Sequence, residues 1–506
     1  MSIPMKFFIT CLAILITFKS LAQSPIIQTK SGQIAGIANP ETKINKFLGI
    51  PFAKAPIGDL RWKAPQKPDS WTGIRDTKSF SASPFQNKPA PFMYWSSEFL
   101  IPEAPISEDC LYLNVWAPQK TNSKKAVLVY FYGGGFRSGG TACPIYDGEA
   151  VAQKDVIFVS INYRVGIFGF LAHPELSAEA PYKSSGNYAL LDMIAGLQWI
   201  QANIAAFGGD PNQVTIAGQS AGAFAVNFLC ASPLAKGLFK GAIAESGGSV
   251  LPSPIRPAIT RQQAEALGTM FAEKLNVKSI AELRALPAET IQKASGGLSA
   301  PYTDGHVMPI SIRETYVQGK QNDVNLLIGW NKEDRLMGKP AADEVYKSQL
   351  TSRYKDKATL VEAAYPSSQQ GDLNRDESFG VQVHAWAKLQ NESGKAPVYL
   401  YNFNRAVPAF DASTAFGAFH TGEVPYVYGN LKKVNRPWET ADYTLSNQLI
   451  AYFTNFTKTG NPNGLNLPTW PRFENNSQQT QLLDVTIESK ELPNRKSLEL
   501  LETLLN

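Results

Sequence analysis

The chain has 506 residues, of which 44% are hydrophobic and 18% charged, with 38 glycines and 34 prolines. This balance is ordinary for a globular protein and excludes the disordered, fibrous and membrane-spanning classes. The formal net charge is +5 and no Lys/Arg cluster is present, so the charge pattern gives no indication of nucleic acid or an anionic membrane as a partner.

The first 22 residues have the pattern of a secretory signal peptide. Lys6 precedes an apolar stretch at 7–18 that is too short to span a bilayer comfortably, and Ala22 ends a small-residue cleavage site. Removal of residues 1–22 lowers the formal charge from +5 to +3, because Lys6 and Lys19 leave. We predict a secreted or periplasmic protein with no stable membrane insertion after cleavage. A retained membrane anchor is the alternative.

The rest of the chain, 23–506, has no repeat or linker and is predicted to be a single domain. Its near-continuous apolar runs are typical of strands covered on both faces, and they alternate with helical stretches such as 187–207. This alternation predicts an α/β protein with a mainly parallel central sheet and helices on both faces. Two early runs, 25–29 and 111–117, are predicted to join the sheet as antiparallel strands. The other runs lie at 125–136, 155–165, 212–222, 240–248, 324–331 and 396–404.

The run at 212–222 ends in Gly218-Gln219-Ser220-Ala221-Gly222. A G-x-S-x-G sequence between a strand and a helix is typical of a nucleophile elbow, a sharp turn that lifts the serine oxygen above the sheet. The turn also places that oxygen at a helix N-terminus, where the helix dipole favours negative charge. We therefore predict Ser220 as a nucleophile, against the alternative of a structural turn serine.

Three consecutive glycines, Gly133, Gly134 and Gly135, follow the apolar run that precedes the elbow. A nucleophilic serine that attacks an acyl carbon needs N–H donors for the developing oxyanion. By the logic of this motif, Gly134 and Gly135, together with Ala221 after the nucleophile, are predicted to form the oxyanion hole. A plain flexible turn is the alternative.

Cysteine and histidine are scarce. Removal of the signal leaves Cys110, Cys143 and Cys230, an odd number that allows at most one internal disulfide and fits buried free thiols equally well. The chain has four histidines and no Cys/His metal spacing, so no metal or other cofactor is predicted.

Several long stretches resemble type-B carboxylesterases, the α/β-hydrolase family that includes the cholinesterases. They occur in the family's order and cover nearly all of the mature chain. The stretches are GDLRWKAPQ (58–66), SEDCLYLNVWAP (107–118), FGGDPNQVTIAGQSAGA (207–223), VPYVYGN (424–430) and NFTKTGNPNG to LPTWPRF (455–473). The resemblance implies the α/β-hydrolase fold, with long insertions that form an active-site gorge at roughly 75–107, 250–322 and 335–380.

The resemblance also implies a triad in the order Ser, acid, His. GAFHTGEVPYVYGN has the family's histidine context, which makes His420 the base. The family's acid lies five residues after a glycine that matches Gly329, which gives Asp334 at a site where most members carry Glu. The neighbouring Glu333 is the alternative acid. His306 and His384 fall in contexts without a catalytic role.

Further residues match the family with a supporting role or depart from it. Arg61 and Glu108 match a buried ion pair, and Ser246 matches a serine that supports the triad in some relatives, with a core serine as the alternative. Cholinesterases carry Glu where this chain has Gln219, and their disulfide partner for Cys110 is absent from the mature sequence. The aromatic residues Tyr94 and Trp95 allow a platform over the gorge mouth. Without the Glu, however, selectivity for a quaternary amine has no support.

The resemblance therefore implies a serine carboxylesterase that hydrolyses small-molecule esters, expected to be neutral alkyl or aryl esters, through an acyl-enzyme. A non-catalytic cholinesterase-like binding protein is the alternative, although members of that class lack the nucleophile that this chain keeps in Ser220. A peptidase on the same fold is a third reading, which the family motifs argue against.

Overall fold

The computed structural model describes residues 24–119, 123–253, 258–297, 300–336 and 340–506. The signal peptide predicted at 1–22 lies outside the described residues. Within the described ranges, no helix is both long enough and apolar enough to cross a membrane.

Strands are distributed along the whole described chain. They are β1 (Ile26–Gln28), β2 (Gln33–Ala35), β3 (Ile37–Asn39), β4 (Ile44–Pro51), β5 (Ile74–Asp76), β6 (Ser83–Pro84), β7 (Ile106–Ser107), β8 (Tyr112–Pro118), β9 (Lys125–Phe131), β10 (Ile157–Ile161), β11 (Gly209–Gln219), β12 (Gly241–Glu245), β13 (Asn325–Asn331), β14 (Val398–Phe403), β15 (Gln479–Leu483) and β16 (Glu488–Glu491).

Within the described residues, the central sheet has 11 strands in the order β16-β15-β14-β13-β12-β11-β9-β10-β8-β4-β3. Each neighbouring pair from β15 to β10 is parallel, and the outer pairs are antiparallel. The six predicted apolar runs each supply one of the parallel strands, which confirms the predicted α/β class. Every residue of β10 and β12 is buried, as expected for strands covered on both faces.

One strand prediction was wrong in its partner. The run at 111–117 joins the central sheet as β8, but β1 pairs antiparallel with β2 in a separate three-stranded sheet, β1-β2-β5. The cause is a tight turn, in which the Thr29 N–H and hydroxyl both donate to the Gly32 carbonyl at 3.0 and 2.7 Å. That turn closes β1 onto the next strand before it can reach the central sheet.

Helices cover the sheet, and the predicted helix at 187–207 is present as an α-helix that continues into a 3₁₀ turn at Ile204–Phe207. The α-helices are α1 (Glu149–Ala152), α2 (Gly166–Phe170), α3 (Pro174–Glu179), α4 (Tyr188–Asn203), α5 (Ala221–Ala231), α6 (Arg261–Lys274), α7 (Ile280–Ala285), α8 (Ala288–Ala294), α9 (Ile312–Val317), α10 (Asp343–Tyr354), α11 (Ala358–Ala364), α12 (Gln370–Arg375), α13 (Val381–Ser393), α14 (Val424–Val427), α15 (Thr440–Thr459) and α16 (Arg495–Leu505).

The topology brings the predicted catalytic segments to one edge of the sheet. The glycines at 133–135 follow β9, Ser220 follows β11, and Asp334 follows β13. These three strands run parallel, so their carboxyl ends meet on the same side, where ligands of open α/β sheets bind.

Candidate active site

The turn that carries Ser220 has the strained backbone of a nucleophile elbow. Ser220 has φ +55° and ψ −123°, and its N–H donates to the Glu245 carbonyl at 2.8 Å. Close backbone approach explains the flanking glycines: a Cβ on Gly222 would lie 2.0 Å from the Phe131 oxygen, and one on Gly218 would lie 2.5 Å from the Gly222 carbonyl carbon. The strand, the turn and α5 therefore fix the position of the serine without any flexible segment.

The glycine turn after β9 directs backbone N–H groups toward the same place. The Gly134 carbonyl is engaged by the N–H groups of Arg137 and Ser138 at 3.0 and 3.1 Å, and Gly134 and Gly135 have φ of +112° and +62°. Neither Gly134 nor Gly135 donates its N–H to another described residue. Ala221 is the first residue of α5, so its N–H also lacks an intrahelical acceptor.

The two adjacent carboxylates after β13 point in different directions. Asp334 is fully buried, and its Oδ1 lies 2.5 Å from His420 Nδ1, while its Oδ2 accepts the Asn331 N–H at 3.0 Å. Glu333 instead accepts the Ala418 N–H at 2.7 Å and thereby holds the segment that leads to His420. The structure therefore brings Asp334, and not Glu333, to the imidazole.

His420 lines the pocket, and its second nitrogen, Nε2, lies beside the Gln219 amide. Gln219 Nε2 lies 3.3 Å from His420 Nε2, and Phe379 stacks on the imidazole with a centroid distance of 4.8 Å and a 15° interplanar angle. Ser220 and His420 line the same pocket, but within the described residues no hydrogen bond joins the Ser220 hydroxyl to His420. Such bonds are often long before substrate binds, so this geometry is compatible with proton transfer.

The two other downstream histidines lie in separate places. His306 stacks on Tyr182 with a centroid distance of 4.0 Å. His384 is fully buried, with Nε2 2.9 Å from Gln478 Oε1. Neither histidine lines the pocket that contains Ser220.

The supporting residues suggested by the resemblance are buried or mostly buried in the fold. Arg61 Nε donates to Glu108 at 2.7 Å in a mostly buried ion pair. Ser246 is buried beside the elbow at φ +58°, and within the described part of the chain its hydroxyl has no partner. The cysteines Cys110, Cys143 and Cys230 are buried and unpaired.

Two buried glutamates lie behind the triad, and the sequence alone did not assign them a role. Glu245 accepts the Tyr428 hydroxyl at 2.6 Å, and Glu423 accepts the Asn331 side-chain N–H. Burial raises the pKa of Glu245 to about 8 and the pKa of Glu423 well above its usual range; the charges of Glu245 and Asp334 add to the second shift. Burial therefore favours the protonated form of both side chains.

The pocket above Ser220 has a volume of about 810 Å³. The first predicted insertion contributes lining residues between 86 and 101, and the second contributes lining residues between 292 and 297. Among the described lining residues, the third predicted insertion contributes only Leu336. Trp95 lies with its ring edge-on to His420 at 6.1 Å, and its Nε1–H donates to the Thr421 hydroxyl at 3.2 Å. Tyr94 stacks on Phe419 behind it.

Comparison with known proteins shows the family and the fold of the chain. A family model described as the carboxylesterase family matches residues 23–370 and 336–501. A fumonisin B1 esterase of Sphingopyxis macrogoltabida is 35% identical over 481 residues, which cover 88% of this chain and 84% of the relative. A para-nitrobenzyl esterase of Bacillus subtilis (strain 168) is 33% identical over 496 residues, which cover 92% and 96%. A solved structure of a PNB esterase superposes with a TM-score of 0.83 at 30% identity and covers 96% of this chain and 100% of that chain.

Proposed function

Because this chain belongs to the carboxylesterase family and is a carboxylic ester hydrolase, we propose that Ser220, His420 and Asp334 form its catalytic triad. The family assignment and the α/β-hydrolase fold predicted from the sequence are confirmed. The observation that carries the triad is the 2.5 Å contact between Asp334 and His420 at the edge of the pocket that contains Ser220.

In the proposed acylation step, His420 Nε2 takes the proton from the Ser220 hydroxyl as Oγ attacks the ester carbonyl carbon. Asp334 holds the imidazole through Nδ1, which leaves Nε2 directed to the serine and stabilises the imidazolium that forms. The tetrahedral intermediate then collapses to the acyl-enzyme as His420 returns the proton to the leaving alkoxide. A water molecule, deprotonated in the same way, releases the acid and restores Ser220.

The oxyanion of both intermediates is proposed to bind the N–H groups of Gly134, Gly135 and Ala221. These donors already stand on a fixed turn and a helix N-terminus, so little reorganisation is needed when negative charge develops on the carbonyl oxygen. Loss of one such donor typically raises the barrier by about 3 kcal/mol.

Covalent labelling tests the nucleophile directly. We expect a fluorophosphonate to add one phosphonyl group to the wild-type protein, seen by intact mass, and none to Ser220→Ala. Ser220→Ala should also lose about 10⁴-fold or more of kcat on an aryl ester, because only binding and the oxyanion donors remain. Equal labelling of both proteins would contradict the assignment of Ser220.

We also propose that the protein is exported and cleaved after Ala22, because residues 1–22 combine Lys6, an apolar stretch and a small-residue cleavage site. N-terminal sequencing of the protein recovered from the medium or the periplasm should give Gln23 as the first residue. Recovery of the uncut chain in the cytoplasm would contradict export.

A further inference from the structure

Among the described residues, the charged side chains that line the pocket all carry the same sign. They are Lys88, Arg137 and Lys293, and among the described residues no Asp or Glu contributes to the lining. Lys88 lies in the loop after β6, Arg137 follows the glycine turn after β9, and Lys293 is in the last turn of α8. Three separate parts of the chain thus direct positive charge to one opening.

Arg137 belongs to the turn that presents the oxyanion donors, because its N–H donates to the Gly134 carbonyl at 3.0 Å. Its guanidinium lies against the opposite wall: a Cβ on Gly297 would be 3.3 Å from the Arg137 Cζ. The absence of a side chain on Gly297 therefore gives the guanidinium its room. The backbone of Arg137 thus belongs to the oxyanion turn, while its guanidinium contacts the segment around Gly297 and lines the same pocket as Ser220.

The other two cations lie on wall segments that are joined to each other. Gln292, next to Lys293, donates from Nε2 to Asn87 Oδ1 at 3.3 Å, which links α8 to the loop that carries Lys88. Lys88 contacts Glu103 at 2.9 Å, but the side chains are 76% and 72% exposed, so water and salt screen that pair. This surface pair therefore compensates the charge of Lys88 only in part.

At the base of the pocket, too, the described lining residues include no acidic side chain, and Asp334 lies buried behind His420. Gln219, beside the nucleophile, is uncharged, and its amide lies between His420 and Thr421, whose hydroxyl donates to Gln219 Oε1 at 3.3 Å. The buried acids Glu245 and Glu423 are fully enclosed behind the triad and line no part of the pocket.

We propose that the preferred substrates of this site are esters that also carry a free carboxylate, and that Arg137 and Lys293 bind this carboxylate. A guanidinium pairs with a carboxylate through two parallel hydrogen bonds, which orients as well as attracts the ligand. A cleft lined by one sign of charge also raises the rate at which opposite charges enter. The proposal rests on the proposed ester hydrolysis, and it replaces the neutral substrates expected from Gln219 alone.

Matched pairs of substrates test the proposal, each pair made of a carboxylate and its isosteric, uncharged amide. Para-acetoxybenzoate and para-acetoxybenzamide place the group on the alcohol side, and monoethyl adipate and ethyl adipamate place it on the acyl side. For at least one pair we expect kcat/KM at low ionic strength to be about 5-fold or more higher for the acid, mainly through a lower KM. This preference should decline as NaCl rises to about 0.5 M.

Two double variants with the same change of net charge locate the effect. Arg137→Gln with Lys293→Gln should reduce the acid-to-amide ratio by about 5-fold or more. Lys278→Gln with Arg472→Gln removes two exposed cations that do not line the pocket, and should keep the wild-type ratio.

The proposal is overturned if neither acid is preferred over its amide by the wild-type protein. It is also overturned if both double variants lower the ratio equally, since the preference would then reflect net charge rather than this wall. In either case, cleavage of the ester bond in the two amide-bearing substrates by wild type, but not by Ser220→Ala, shows that the proposed ester hydrolysis stands. Failure to hydrolyse any of the four esters would instead count against the proposed function itself.

Discussion

The floor and the wall of the pocket differ in how they are built. The floor, defined as residues 133–135, Ser220, Asp334 and His420, stands mostly at the carboxyl ends of parallel strands and is held by backbone hydrogen bonds and buried contacts. The wall, defined as residues 86–101, Arg137 and residues 288–297, consists of loops and two short helices, and its lining cations Lys88, Arg137 and Lys293 are exposed. The positions of the reacting groups are therefore fixed by the sheet. Substrate preference instead depends on exposed side chains of the wall, whose substitution changes the stability of the fold little.

If catalysis depends on the exact placement of the floor residues, substitution of the two adjacent carboxylates should change kcat very differently. Asp334→Asn should lower kcat about 10⁴-fold, because an amide no longer stabilises the imidazolium or selects its tautomer. Glu333→Gln should stay within about 10-fold of wild type, since the glutamine oxygen can still accept the Ala418 N–H. Steady-state kinetics on one aryl ester, with circular dichroism of both variants, makes the comparison. The reverse order would assign the triad acid to Glu333.

The floor could be predicted from the sequence because its parts have local signals. Ser220 lies in a G-x-S-x-G turn, residues 133–135 are three glycines after an apolar run, and Asp334 follows from the family's spacing after Gly329. Each signal reflects a backbone requirement, such as the 2.0 Å approach that a Cβ on Gly222 would make to Phe131. Requirements of this kind restrict residue identity and therefore leave a pattern.

The wall could not be predicted in the same way. An exposed lysine or arginine is compatible with almost any surface, so Lys88, Arg137 and Lys293 carry no signal until the fold brings them together. The electrostatic interaction of Glu245 with Glu423 behind the triad likewise joins distant parts of the chain. The partner of β1 was missed because apolar pattern gives strand type but not strand neighbours.

The glycines of the floor allow a sharper test of placement. A Cβ on Gly134 would lie 2.2 Å from the Ser138 carbonyl oxygen, whereas one on Gly135 would meet nothing within 4 Å. Gly134→Ala should therefore displace an oxyanion donor and lower kcat about 10²–10³-fold. Gly135→Ala should lose less than about 10-fold, because it faces only the strain of its positive φ. Equal losses in kcat would show that backbone strain, and not the clash, disturbs the turn.

The raised pKa of Glu245, behind the floor, predicts that the free energy of unfolding depends on pH. Glu245 has its pKa raised by burial to about 8 from 4.5, so the folded protein holds a proton that the unfolded chain releases. The resulting stability is fully present below pH 4.5 and is lost as pH rises toward about 8. Each tenfold difference in proton affinity between the folded and unfolded chains corresponds to about 1.4 kcal/mol of free energy of unfolding.

Glu245→Gln removes this titration and keeps an oxygen that can accept the Tyr428 hydroxyl. Urea unfolding at pH 5 and pH 8 should show that wild type loses more free energy of unfolding than the variant, by a difference on the order of 2 kcal/mol. Glu474→Gln, which removes an exposed carboxylate, should follow wild type. A pH dependence unchanged in Glu245→Gln would mean that Glu245 does not hold the proton.

The smallest expected effect belongs to the wall. Glu103 pairs with Lys88 at 2.9 Å on the surface, so Glu103→Gln should leave that lysine uncompensated at the pocket mouth. We expect about a 2-fold rise in kcat/KM for para-acetoxybenzoate at low salt, since exposed pairs are weak and screened. The rise should disappear in high salt, and para-acetoxybenzamide should show none. A loss of activity on both esters would mean that Glu103 supports the fold of the wall, and the wall would then be less tolerant of change than its exposure indicates.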